Sequence, residues 1–250
     1  MEVVIMNYSL KRQILANTIF TAAFALIFIG YCVLMSNIFI GLGETSPVSA
    51  NETDKKVIVL DPGHGGEDSG TVGINGITEK ELNLMISDTL CVILRFCGYE
   101  VIPTRDEDVL LYDRNIDFKG RKKVLDLAAR LNIANEVDPD IFVGIHMNAF
   151  PQQKYSGLTV YYSPNHRLSQ DVGSLLRHNV IELLQPQNNR ELKEAGTNIY
   201  LLDRIKCPAI LIECGFLSNP EECEKLCRDD YRHLLSFVIY CSLSSFLEES

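Results

Sequence analysis

The chain has 250 residues, 46% of them hydrophobic and 22% charged, proportions that exclude collagen-like, low-complexity and globally disordered readings. Its formal net charge is −10, and because Lys11 and Arg12 balance Glu2 and Glu44 within residues 1–50, all of that charge lies beyond them. Such an acidic surface argues against nucleic acid as a partner, since holding a polyanion requires cations that neutralise phosphates.

Residues 13–43 contain no Asp, Glu, Lys or Arg. About 20 apolar residues suffice to cross a bilayer as a helix, and this stretch shows no polar face at helical period. It is expected to be a transmembrane anchor; a signal segment is the alternative, with Val48-Ser49-Ala50 as a small-residue cleavage site. Lys11 and Arg12 precede it while Glu44, Glu52 and Asp54 follow, so residues 1–12 are expected in the cytoplasm and the rest of the chain outside. Residues 44–56 read as a polar linker, and 57–250 as one folded domain. About 200 residues bury roughly 70% of the surface that the unfolded chain exposes, enough for a full core without disulfides.

Strands and helices then alternate. Val57–Leu60 is a continuous apolar run with β-branched members, and it ends in the Gly-rich turn Asp61-Pro62-Gly63-His64-Gly65-Gly66. Leu82, Ile86, Leu90, Ile93 and Cys97 recur at helical spacing, with Gly98 placed to end that helix. Residues 99–104 read as a second strand, and Val124, Leu127, Ala128, Leu131 and Ala134 as a second helix. Residues 140–145 and 157–162 are further strands, 167–184 a helix, and 209–212 a last strand. One final helix is expected from Asn219, which can cap it, with Pro220 in its first position and Glu221 and Glu222 at the positive end of the dipole. This order implies an α/β domain, a mostly parallel sheet covered by helices on both faces. No internal repeat is visible, and no second domain follows.

Beyond Cys32 there are seven cysteines and no CxxC pair, so no thiolate metal site is expected. Cys223 and Cys227, four apart, share one face of the final helix. The seven read as buried free thiols, which in an exported domain suggests a reducing habitat.

Three apolar strands deliver a reactive side chain at their C-terminal end: His64, His146 and Glu213. In open α/β sheets that edge is where ligands bind. Thr78 and Glu81 have capping-box spacing, which occupies Glu81 and leaves Glu79 free to face the sheet edge. Taken singly, a His in a glycine-rich turn is an ordinary loop hydrogen-bonder. Together these residues are not ordinary, because an unpaired charge at the end of a buried strand is costly. His64, Glu79 and His146 form a three-ligand set with an open position, the arrangement of catalytic zinc, and Glu213 is left as the base. His166, His178 and His233 lie in polar or helical stretches and read as structural or surface residues.

The motifs DPGHGG, the Glu79-Lys80 helix start, ARLNIAN before IFVGIHMNA, and PAILIECGFLSNPEE resemble, in order and separation, the zinc-dependent N-acetylmuramoyl-L-alanine amidases of the Amidase_3 type. The resemblance covers roughly residues 56–248. It implies His64, Glu79 and His146 as zinc ligands and Glu213 as catalytic acid/base. The implied reaction is hydrolysis of the amide joining the lactyl group of N-acetylmuramic acid to L-alanine in peptidoglycan. Arg130 and Asn135 also match the family pattern; each reads equally as a site residue or as an exposed base and a helix end. Gly144, Met147 and Cys207 depart from that pattern and put substrate fit in question. The short connection 185–195 lacks the longer insertion of members held in check by a regulatory helix. With one anchor and no added wall-binding module, the layout is similar to the sporulation amidases of the CwlD type. Two rival readings are an idle wall-binding module that activates a partner hydrolase, and a zinc peptidase cutting within the stem peptide.

Overall fold

The computed structural model describes residues 55–113, 115 and 119–249. The apolar stretch 13–43, and with it the expected anchor, lies outside the described residues. Among the described residues no helix is long and apolar enough to cross a membrane.

Six strands form one sheet: β1 (Val57–Pro62), β2 (Glu100–Pro103), β3 (Ile141–Asn148), β4 (Thr159–Tyr162), β5 (Lys193–Glu194) and β6 (Ala209–Phe216). Their order is β2-β1-β3-β6-β4-β5, and every neighbouring pair is parallel except β4 with β6. The helices are α1 (Glu79–Phe96), α2 (Lys122–Val137), α3 (Leu168–Leu183), α4 (Pro220–Cys227) and α5 (Asp229–Glu249). The mixed, mostly parallel α/β sheet expected from the alternation is present. Two details differ. The two-residue β5 falls inside the polar connection and has no apolar pattern to reveal it. The final helix is two helices, because Arg228 is extended and the chain restarts at Asp229 and Asp230. Asn219 caps α4 as expected, accepting from the Glu221 and Glu222 amides at 3.0 and 3.1 Å.

Alternate residues of each strand face two different environments. Ile58, Leu60, Ile141, Val143, Ile145, Ile210 and Ile212 join the larger core with α1, α3, α4 and α5. Val59, Phe142 and Ala209 face the other side, where α2 and the turn-rich segment 196–207 supply Ala134, Leu201, Leu202 and Ile205. That second layer is smaller and covers the N-terminal half of the strands. The same face at the C-terminal ends of β1, β3 and β6 carries polar residues.

All seven described cysteines are free, yet only Cys91, Cys214 and Cys223 are buried, and Cys97 is exposed. The expectation of seven buried thiols is thus corrected: Cys97 follows the last turn of α1 and has left the apolar stripe. Cys223 and Cys227 both meet Asn75, through its Oδ1 at 3.3 Å and its Nδ2 at 3.1 Å.

Candidate active site

His146 on β3 and Glu213 on β6 are partners in register, so both side chains lie on the thinly covered face. His64 follows β1 in a left-handed conformation, φ +62°, sparsely populated for a residue with a Cβ. The turn tolerates it because the surrounding contacts fix it. Arg130 Nη2 donates to the His64 carbonyl at 2.7 Å, and Arg105 Nη2 and Asn83 Nδ2 donate to the Gly63 carbonyl at 3.0 Å each. Gly63 has no alternative in that turn, since a Cβ there would lie 2.1 Å from the His146 ring.

Glu79 opens α1. Thr78 donates its amide and hydroxyl to Glu81, so the capping residue is occupied, as the spacing implied. Glu79 turns inward and is 3% exposed. Its Oε2 accepts from the Thr71 amide at 2.8 Å and its Oε1 from the Met147 amide at 3.0 Å. The same Oε1 lies 3.2 Å from His64 Nε2 and 3.1 Å from His146 Nδ1. One ligand atom from each of the three residues falls within 4.8 Å of the others, so the group can hold a metal ion. Gly70 closes the cradle: at φ +62°, a Cβ there would meet Glu79 Oε2 at 2.6 Å and His64 Cδ2 at 2.7 Å.

Burial raises the Glu79 carboxyl, but hydrogen bonds from His146 and His64 outweigh it and hold the group far below the usual carboxylate range. Burial lowers His64, and here Glu79 and then Asp68 outweigh it, so its basicity rises. Asp68 Oδ2 stands 2.9 Å from His64 Nδ1, close enough to pair although not aligned as a hydrogen bond, and so orients the ring from behind. Glu213 differs. Burial pushes its carboxyl up to about 7, with His146 pulling down and Glu79 pushing up. Its Oε2 is shut off from solvent and makes no hydrogen bond. Buried polar atoms are normally paired, so this oxygen, on the residue in register with His146, is an exception at the site.

The four residues selected in the sequence therefore meet at one sheet edge. Arg130, left open there, is 1% exposed and bonds Asp61 at 2.6 Å, Asp126 at 2.8 Å and the Pro62 carbonyl at 2.8 Å. It is a positioning residue for the His64 turn, not an exposed base. Asn135 is exposed and lines a separate hollow with Cys207, away from the site. Of the three departures from the family pattern, Met147 is buried in the helix-side core and Cys207 lies before β6 at its opposite end. Gly144 has ordinary contact room above Leu211. Met147 does meet Glu79 Oε1, through its backbone amide at 3.0 Å, a contact that any residue other than proline could make there. Sequence reading missed Asp68 and Arg105. Arg105 follows the apolar strand β2, so the reasoning that found His146 and Glu213 would have found it too. His178 and His233 are exposed, and His166 accepts from the Leu168 amide, outside the site.

A family model described as N-acetylmuramoyl-L-alanine amidase, Amidase_3, matches residues 58–244. The germination-specific N-acetylmuramoyl-L-alanine amidase of Bacillus subtilis (strain 168) is 32% identical over 194 residues, covering 78% of this chain and 81% of its own. Among solved structures, the CwlD amidase of Clostridioides difficile, in complex with the GerS lipoprotein, superposes with a TM-score of 0.75 at 34% identity, over 78% of this chain and all of that one. The amidase AmiC2 of Nostoc punctiforme gives 0.65 at 27% identity, over 78% and 98%. The chain belongs to the N-acetylmuramoyl-L-alanine amidase family and is a hydrolase of the amide bond in peptidoglycan.

Proposed function

We propose that the protein cleaves the amide between the lactyl group of N-acetylmuramic acid and L-alanine, with zinc held by His64, Glu79 and His146 and with Glu213 as general base and acid. The observation that carries this reading is the orphan Oε2 of Glu213 beside three ligand atoms within 4.8 Å of one another. The donor set fits the metal: two imidazoles and one carboxylate suit zinc and leave a position open. Bound there, zinc supplies Lewis acidity toward the scissile carbonyl and makes water ionise near neutral pH. Asp68 and the Thr71 and Met147 amides fix the ligands' orientation. Glu213 takes a proton from the attacking water and returns it to the departing amine of L-alanine, a role suited to a carboxyl raised to about 7.

The likeness to a germination-specific amidase and to CwlD supports a role in spore cortex. The basic flank before residues 13–43 supports an anchored enzyme whose catalytic domain lies outside the cytoplasm. Mass analysis of digested peptidoglycan tests the chemistry: new L-alanine amino termini are expected, and internal stem-peptide ends would instead indicate a peptidase. The purified protein is expected to hold close to one zinc and His146→Ala to lose most of it, because two remaining ligands rarely retain the ion. Full retention in that variant would overturn the ligand set. Protease added to intact protoplasts should remove the domain beyond Glu44, and complete protection would reverse the topology.

A further inference from the structure

A cavity of about 550 Å³ opens between residues 154–157, residues 184–190 and the start of α4. The register of β3 with β6 shifts after His146↔Glu213, so that Asn148 pairs with Phe216; the extra residue in β6 returns Phe216 to the face that carries Glu213. Arg190 lies over this ring, its guanidinium carbon 4.7 Å from the Phe216 centroid and 5.3 Å from that of Tyr155. Its Nε donates to the Ser156 carbonyl at 2.9 Å, which fixes the plane.

Both Nη atoms of Arg190 lack a hydrogen-bond or ion-pair partner among the described residues. Of the two acids lining the cavity, Glu221 and Glu222, neither pairs with them, and Glu222 accepts the Gly157 amide on one oxygen and the Phe216 amide on the other, each at 2.8 Å. Lys154, over the Tyr155 ring at 5.4 Å, and Lys225 line the same cavity, and neither forms an ion pair with a described residue. A fixed, half-buried guanidinium fork whose electrostatic neighbour, Glu222, has both oxygens engaged by backbone amides is suited to a carboxylate from elsewhere.

We infer that Arg190 clamps a free carboxylate of the stem peptide, bidentately, and so selects acidic over amidated stems; this rests on the amidase reading above. From Glu213 to Phe216 is three strand residues, about 10 Å. An extended peptide advances roughly 3.3–3.6 Å per residue, so the fork meets the second or third residue beyond the scissile amide.

The test compares two muropeptides that differ only in whether the side carboxylates of the stem are free or amidated. Hydrolysis by the full-length enzyme is followed chromatographically. The wild type is expected to favour the free acid by roughly tenfold or more in kcat/KM, the size of a charge-assisted bidentate contact. Arg190→Gln should raise KM for the free acid by about that factor, change kcat less than about twofold, and bring the two substrates level. Arg190→Lys should recover only part of the preference, since it restores charge without the fork. If Arg190→Gln fails to fold, Lys154→Gln, at an exposed side chain, reports a smaller shift in the same direction. Lys206→Gln, in the separate hollow, should leave the preference intact. Equal wild-type hydrolysis of both substrates, or an unchanged preference in Arg190→Gln, overturns the clamp alone. Cleavage of neither substrate at the lactyl amide removes the amidase reading and the clamp with it.

Discussion

The two faces of the sheet are built from the same strands and differ in kind. On one, Ile58, Leu60, Val143, Ile145, Ile210 and Ile212 pack against α1, α3, α4 and α5, and the sheet supplies no carboxylate, imidazole or cationic side chain to that cluster. On the other, the alternate residues begin apolar, with Val59, Phe142 and Ala209, and end as Asp61, His146 and Glu213. One face stabilises the domain by removing apolar area from water. The other accepts buried charge, which is costly unless paired, and pairs most of it: Asp61 with Arg130, Arg130 with Asp126, His64 and His146 with Glu79. The exception is Glu213 Oε2. A period of two therefore lets each strand hold the fold with one set of residues and present chemistry with the other.

The sharpest way to break this comparison is at the unpaired oxygen. Glu213→Gln keeps volume and removes the basic site, so activity on peptidoglycan should fall at or beyond the upper end of the 10²–10⁴-fold range of positioned acid/base groups. Metal content and melting temperature should hold; an active variant would move the acid/base role elsewhere. Next comes the paired charge. Arg130→Met strands Asp61 and Asp126 as buried carboxylates and frees the His64 carbonyl. Denaturant unfolding should show a loss of about 3–5 kcal/mol, together with weaker metal binding, and a loss below about 1 kcal/mol would deny the network its positioning role.

On the apolar face, Leu90→Ala removes a fully buried side chain of α1 and should cost about 2–5 kcal/mol. There the comparison predicts a clean separation: kcat of the folded fraction stays within about twofold, and a larger change would show that the two faces are coupled. The smallest effect is expected at Glu81→Gln, because Gln keeps the capping role; stability should shift by less than about 0.5 kcal/mol and metal content not at all. A variant that lost its metal would exchange the roles assigned to Glu79 and Glu81.

The residues of the site were legible in the sequence to different depths. His146 and Glu213 stand directly after apolar β-branched runs, where a polar residue is conspicuous, and His64 lies in the glycine-rich turn that follows another. Glu79 required one more step, the capping arithmetic that removed Glu81 from consideration. Arg130 was visible but ambiguous, since a basic residue amid a helical pattern is usually solvated, and only its contacts with Asp61 and Asp126 reveal it as buried. The break at Arg228 left no pattern, because the apolar positions of α4 and α5 continue past it.

By itself, the sequence determined the alternation of strands and helices and the edge at which His64, Glu79, His146 and Glu213 gather, because hydrophobic period and turn chemistry are local properties of the chain. Tertiary structure decided the pairing order of the strands, the antiparallel β4, the thin layer over the active face and the shift in β6 that turns Phe216 toward Arg190. Those depend on contacts between residues far apart in sequence, and neither periodicity nor propensity carries that information. The unpaired Oε2 of Glu213 belongs to the same class: a partner's absence is a property of everything packed around an atom.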